Sequence, residues 1–282
     1  MGQYQYDMVI IGGGTGGLVT ASGLAQLGAE VCLIEKEDDM LGGDCLYYGC
    51  VPSKTLIQAA GLAQDMREAD KYGLPTHDPD IDFSKIMDRL HGVIDHIQEE
   101  EDNADRFRDM GVDVVFGRAE FESEHEVRVN DETITGRRFT VATGSEAMVP
   151  SIDGIQDVDY LTNVEALRLE ELPESMIVVG GGPIGLELGQ TFHRLGSDVR
   201  VIEGRECVLP QEDEEIASAA HDLLEEDGLN ISTEVLAQSV RDEDGTIVVE
   251  ASQGGKEETL RAEELLMATG RSPNVEGLNL EA

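Results

Sequence analysis

The chain is poor in lysine, with five against 59 Asp and Glu residues, and its 20 Lys and Arg leave a formal charge of −39. That deficit of positive charge excludes nucleic acid and anionic membrane as partners on electrostatic grounds. Four cysteines in 282 residues are too few for a disulfide-built scaffold. There is no Cys-x-x-Cys pair, and Cys45 and Cys50 lack two further ligands at zinc spacing, so no metal site is expected. The six histidines are scattered without ligand spacing or a neighbouring nucleophile, and none is assigned a catalytic role. No run of 18 apolar residues occurs, which excludes a membrane-spanning helix. The N-terminus passes from Tyr6 directly into an apolar strand with no basic segment ahead of it, so the expectation is a soluble, cytoplasmic protein.

What is present is a large apolar fraction, 40%, enough for a sizeable core in one or two domains. The acids fall in short runs, such as Glu99 to Asp102 and Glu212 to Glu215, broken by apolar residues, and read as solvated faces of a folded protein. Molar salt shortens the Debye length to roughly 3 Å and screens such self-repulsion. The composition therefore points to a halophilic, salt-adapted cytoplasm.

One pattern occurs twice. Asp7 to Ile11 reads as a strand, Gly12-Gly13-Gly14-Thr15-Gly16-Gly17 follows, Leu18 to Leu27 has helical spacing, and a second strand, Glu30 to Ile34, ends at Glu35. The copy has a strand Met176 to Val179, then Gly180-Gly181-Gly182-Pro183-Ile184-Gly185, a helix Leu186 to Leu195, and a strand Asp198 to Ile202 ending at Glu203. The interval from first glycine to terminal glutamate is the same in both, Gly12 to Glu35 and Gly180 to Glu203. Strand, glycines, helix and a distal acid together form a dinucleotide-binding fingerprint. Gly12 permits the tight turn, Gly14 the approach of a pyrophosphate, and Gly17 close helix packing, while the helix N-terminus offers amides to phosphate. Glu35 and Glu203 would each accept from an adenosine ribose. The expected fold is α/β, with two Rossmann-like units of three-layer ββα architecture.

Between the copies, Ser53 to Arg67 and Phe83 to Met110 have helical spacing, and Val112 to Phe116, Glu126 to Val129 and Arg138 to Val141 read as strands. Ala142-Thr143-Gly144 recurs as Ala268-Thr269-Gly270. The expected domains are residues 1–148 and 149–270, with 271–282 beginning a return to the first.

Just after the first fingerprint lies Gly42-Gly43-Asp44-Cys45-Leu46-Tyr47-Tyr48-Gly49-Cys50-Val51-Pro52-Ser53-Lys54. A Cys-x4-Cys spacing is too long for one regular helical turn and suits a distorted first turn, with Pro52 at a helix start. A sulfur there is favoured as thiolate. This segment resembles the redox-disulfide segment of the flavin-dependent pyridine nucleotide-disulfide oxidoreductases, which include dihydrolipoyl dehydrogenase, glutathione reductase and mercuric reductase; its wording is nearest the mercuric-reductase-like branch. The resemblance implies FAD in the first unit and a nicotinamide nucleotide in the second. It makes Cys50 the flavin-side sulfur and Cys45 the interchange sulfur. Lys54 becomes the cation at the flavin edge, with Glu187 as the acid that holds it. The implied cofactor-binding set is Gly12, Gly14, Thr15, Gly17, Glu35, Lys36, Gly43, Asp44, Ala142, Thr143, Gly144, Gly180, Gly182, Pro183, Ile184, Glu203 and Gly270. Glu203 would repel a ribose 2′-phosphate, so NADH is expected over NADPH. Pro183 stands where some members carry a gating tyrosine, so no aromatic gate is expected. Tyr47 and Tyr48 are read as packing residues.

The resemblance runs from about Tyr4 to Asn279. Family members are longer, returning to the flavin domain through a Gly-Asp motif and adding a dimerisation domain with a His-Glu acid-base pair. Neither occurs by Ala282, which leaves a fragment, a natural truncation or half of a split enzyme as readings. The implied function is electron transfer from NAD(P)H through FAD to a Cys45–Cys50 disulfide and on to a small disulfide or metal-ion substrate. The alternative is a nucleotide-binding redox sensor or incomplete subunit without turnover.

Overall fold

The computed structural model describes residues 4–38 and 40–282. In chain order its elements are β1 (Met8–Ile11), α1 (Thr15–Gln26), β2 (Val31–Glu35), α2 (Gly43–Tyr47), α3 (Cys50–Arg67), α4 (Phe83–Glu100), α5 (Ala104–Asp109), β3 (Val112–Phe116), β4 (Ala119–Ser123), β5 (Glu126–Val129), β6 (Glu132–Thr135), β7 (Phe139–Val141) and β8 (Ser145–Ala147). There follow α6 (Asn163–Ala166), β9 (Ser175–Val179), α7 (Pro183–Leu195), β10 (Asp198–Ile202), α8 (Glu214–Glu226), β11 (Asn230–Ser232), β12 (Val235–Glu243), β13 (Thr246–Gln253), β14 (Lys256–Ala262), β15 (Glu264–Met267) and β16 (Arg271–Pro273).

Contacts divide the chain into two compact units. One comprises Met1–Pro52, His91–Glu146 and Ser272–Ala282, the other Ser53–Leu90 and Ala147–Arg271. In the first, β3-β2-β1-β7 form a parallel sheet, with Ile10 opposite Leu33 and Thr140. All five β2 residues are buried, as expected of a parallel strand covered on both faces. Alternation sorts its side chains. Ile10 and Leu33 pack with Leu18 and Ala21 of α1 and Phe107 of α5. Val9, Ile11, Cys32 and Ile34 turn the other way, onto Val127, Val129 and Ile134 of the antiparallel sheet β4-β5-β6. Cys32 is the small core residue expected from its apolar run; burial, then Asp113, pushes its thiol up to about 12.

The second unit repeats the arrangement with β11-β10-β9-β15. Ile177, Val179, Ile202, Leu265 and Met267 pack onto the antiparallel sheet β12-β13-β14 through Val235, Val249 and Leu260. On the opposite face Gly189 of α7 lies where a Cβ would come within 3.3 Å of the Val201 methyl, so the helix packs close. Both units are thus three layers, antiparallel sheet, parallel sheet and helices, which is the ββα architecture expected.

Some boundaries differ from the sequence reading. The helical stretch Phe83 to Met110 is two helices, because the Asn103 side chain accepts from the Arg106 amide at 2.9 Å and caps a new start. Helix α3 begins at Cys50 instead of Ser53, with Pro52 in its first turn, where a missing amide hydrogen costs nothing. Residues 53–90 group by contact with the second unit. Phe83 meets Phe192 of α7 with ring centroids 6.4 Å apart, and Arg67 donates to the Arg194 carbonyl at 2.6 Å.

Candidate functional site

In the first unit β1 runs into the glycine turn with Gly12 at φ +109°. A Cβ on Gly12 would lie 2.3 Å from the Ala142 carbonyl oxygen, and one on Gly17 would lie 1.8 Å from the Gly12 oxygen. These two glycines are required by the fold itself. Gly14 is different. Its backbone is extended (φ −76°, ψ −178°), and a Cβ there would meet only the Gly43 Cα, at an ordinary 3.8 Å. No packing or dihedral reason within the chain demands glycine at 14.

The Glu35 side chain, only 7% exposed, is wired to this turn. Its Oε2 accepts from the Gly13 amide at 2.6 Å, and its Oε1 accepts from the Lys36 and Glu37 amides at 2.7 and 3.3 Å. Three of roughly four acceptor positions on the carboxylate are used, leaving capacity for a further donor. Helix α1 begins with no capping side chain and no acidic residue in its first turn, so its leading amides face Gly14 without a competing anion.

The cysteine segment folds against this loop. The Gly42 amide donates to the Gly13 carbonyl at 2.9 Å, Gly14 and Gly42 form an isolated parallel bridge, and a Cβ on Gly43 would come within 2.7 Å of the Gly14 Cα. Gly42 and Gly43 both have positive φ, +100° and +57°. Cys45 sits half-buried in the short helix α2, with Asp44 exposed before it, and Cys50 is exposed at the head of α3. Gly49 allows the chain to double back, since a Cβ on it would be 3.3 Å from the Cys45 Cα. Tyr47 and Tyr48 are half-buried and tilt against each other with ring centroids 6.1 Å apart. Thr15 is exposed at the start of α1, and Lys36 pairs at the surface with Glu37 at 3.3 Å.

The second unit matches the first nearly atom for atom. Gly180 (φ +118°) would place a Cβ 2.3 Å from the Ala268 oxygen, and Gly185 would place one 2.0 Å from the Gly180 oxygen. Gly182 (φ −79°, ψ 177°) has nothing within 4 Å of its Cβ position. Glu203 Oε2 accepts from the Gly181 amide at 2.7 Å, and its Oε1 accepts from the Arg205 amide at 2.9 Å. Helix α7 starts with Pro183 and likewise lacks a side-chain cap or an early acid. Ile184 is half-buried behind Pro183. Lys54 and Glu187, 133 positions apart in sequence, are brought together with Nζ to Oε2 at 2.5 Å, and each keeps about half its side chain exposed.

The Ala-Thr-Gly repeats also correspond. The Ala142 amide donates to the Ile11 carbonyl at 2.7 Å, and that of Ala268 to Val179 at 2.9 Å. Each threonine hydroxyl then donates to a distant carbonyl at 2.6 Å, Thr143 to Asn274 and Thr269 to Met148. Gly144 accepts from the Asn274 amide, and Gly270 from that of Met148.

Two contacts had no motif to announce them. Asp102, between α4 and α5, places Oδ2 2.9 Å from the Cβ position of Gly42; burial and then Glu101 push its carboxyl up, with Arg106 opposing. The other is Met148, whose terminal methyl lies 3.1 Å from the Cβ position of Gly270. Among the described residues, no group of His, Cys, Asp and Glu could hold a metal ion, and no helix is long and apolar enough to cross a membrane.

An adenosine dinucleotide fits each loop: a glycine whose missing side chain the protein does not itself fill, an uncapped helix start for the pyrophosphate, and a carboxylate with acceptor capacity for a ribose. Comparison with known proteins gives the family. The chain is 36% identical over 281 residues to a mercuric reductase of Bacillus cereus, covering all of this chain and 44% of that protein. It is 38% identical over 285 residues to a dihydrolipoyl dehydrogenase of Halobacterium salinarum, covering 98% and 59%. Among solved structures, the HOCl-induced flavoprotein disulfide reductase RclA of Escherichia coli superposes with a TM-score of 0.81 at 30% identity, over 98% of this chain and 59% of that one. The chain therefore spans about half the length of the relatives it matches. The model of the pyridine nucleotide-disulphide oxidoreductases matches residues 6–282, and the chain belongs to that family.

Proposed function

We propose that this chain is the nucleotide-binding portion of an NADH-dependent flavoprotein disulfide oxidoreductase, with FAD held on the glycine loop of the first unit and NADH on that of the second. The observation that carries this reading is the pair of glycines, Gly14 and Gly182, whose Cβ positions the chain itself leaves open at the start of a helix, each beside a glutamate wired into the same loop. Bound FAD would supply hydride acceptance from the nicotinamide and delivery of two electrons to a disulfide.

The chain's own residues divide the remaining work. Glu35 and Glu203 orient the two adenosine riboses, and the N-termini of α1 and α7 hold the pyrophosphates. Glu203, fixed by two backbone amides, presents negative charge where a 2′-phosphate would sit, which favours NADH over NADPH. On the family resemblance Cys50 is the flavin-side sulfur and Cys45 the sulfur that exchanges with substrate. The same resemblance makes Lys54 the cation beside the flavin, oriented by Glu187. A dithiol at Cys45 and Cys50 reduces a substrate disulfide by thiolate attack and mixed-disulfide resolution. A metal-ion substrate is the other class; a solved structure of RclA is a Cu(II) complex.

The first test is the absorbance of the chain reconstituted with FAD before and after anaerobic NADH. The expected result is stoichiometric flavin, bleached by NADH at lower concentration than by NADPH, with a new long-wavelength band. Failure to retain FAD overturns the reading.

The charge of −39 supports a second proposal, that the protein works in a salt-rich cytoplasm. The melting temperature is expected to fall on dialysis from molar KCl to 0.1 M. A melting temperature indifferent to salt refutes the adaptation.

A further inference from the structure

The strand order β11-β10-β9-β15 fixes how a dinucleotide lies on the second unit. Ligands of such sheets bind beyond the carboxyl ends of the strands, where the strand order reverses, here between β9 and β15. Glu203, at the end of β10, takes the adenosine ribose, and Gly182, after β9, lies at the pyrophosphate. The other half of the molecule therefore runs over the end of β15, whose last residue Met267 pairs with Val179. The backbone beyond β15 is Ala268-Thr269-Gly270, and over it lies Met148.

Met148 is pinned at this place by its main chain. Its amide donates to the Gly270 carbonyl at 2.9 Å, and its carbonyl accepts from the Thr269 hydroxyl at 2.6 Å. Gly270 has φ +137° and no side chain, and the Met148 methyl occupies the space a Cβ would otherwise contest. The side chain nevertheless remains 47% exposed. An exposed thioether whose main chain is held beside the end of β15 is suited to a flat heteroaromatic ring, since sulfur–aromatic contacts are favourable and methionine adapts its shape.

We propose that Met148 forms a wall of the nicotinamide half of the dinucleotide site and is a specificity-determining residue for that ring. This rests on the reading of the second unit as the NADH site. The experiment is direct titration of the full chain with NADH and, separately, with ADP, which carries the adenosine and pyrophosphate but no nicotinamide. Met148→Ala should weaken NADH about fivefold, the size of losing one sulfur–aromatic contact with its apolar area, and leave ADP unchanged. Met148→Leu, which keeps the bulk and the backbone bonds, should lie between the two. Equal weakening of ADP and NADH, or no change in either, overturns the assignment to Met148 while leaving the dinucleotide site in place. A wild-type chain that binds neither ligand overturns both.

Discussion

Replacing Cys45 with serine should abolish disulfide reduction by the FAD-reconstituted chain, at least about a thousandfold, while NADH oxidation with an artificial acceptor continues. The two activities part because the acceptor takes electrons from the cofactor, whereas a disulfide substrate needs a sulfur that can form a mixed disulfide, and a serine hydroxyl cannot. Cys50→Ser should remove disulfide reduction equally and also remove the long-wavelength band, because the resemblance places that sulfur against the flavin. The structure adds a further expectation. Cys50 is the more exposed of the two thiols, and Cys45 is half-buried in α2. Alkylation of the chain alone should therefore favour Cys50, and FAD binding should protect Cys50 and leave Cys45 as the reactive thiol. Protection of Cys45 instead would exchange the two roles. Parallel loss of both activities in Cys45→Ser would show that the residue is structural.

The repeated fingerprint was legible in the sequence because a Rossmann unit constrains backbone geometry that only particular residues satisfy. Positive φ at Gly12 and Gly180, and the close helix approach at Gly17 and Gly185, leave no alternative to glycine. Strands β1, β2 and β9 read as apolar runs because both of their faces are covered, and β10 and β3, which carry polar residues among the apolar ones, match their sequence boundaries. The helices were less legible at their ends. Asn103 breaks a continuous helical pattern by capping, an effect of one side chain on one amide that periodicity does not register. Both fingerprint helices start within the glycine motif, at Thr15 and Pro183, ahead of the first periodic leucine. The grouping of residues 53–90 depends on contacts such as Phe83 with Phe192, more than a hundred positions away, and no local pattern carries that information. The wiring of Glu35 and Glu203 to the amides of Gly13 and Gly181 was also beyond spacing alone. Spacing offers those acids as candidates for a ribose, and the structure shows them holding the two glycine loops in shape through these amides.

Substitutions at Gly14 and Gly17 should separate binding from folding. Gly17→Ala would put a methyl 1.8 Å from the Gly12 oxygen, a backbone atom that cannot step aside without opening the β1–α1 turn. The expected result is a destabilised first unit, by several kcal/mol at a fully buried position, seen as a lower melting temperature or insoluble chain. Gly14→Ala adds the same methyl where the nearest atom is 3.8 Å away and the dihedrals suit any residue. That variant should fold with unchanged circular dichroism and a melting temperature within about 1 °C of the parent, since restricting the unfolded chain offsets small costs. Its FAD affinity should nonetheless fall by about 100-fold or more, because a methyl there displaces a pyrophosphate from amides it must approach closely. Gly182→Ala in the second unit should do the same to NADH and leave FAD bound. Undiminished FAD binding by Gly14→Ala would mean that the cofactor does not lie on this loop, and loss of fold would mean that Gly14 has a structural duty the packing does not reveal.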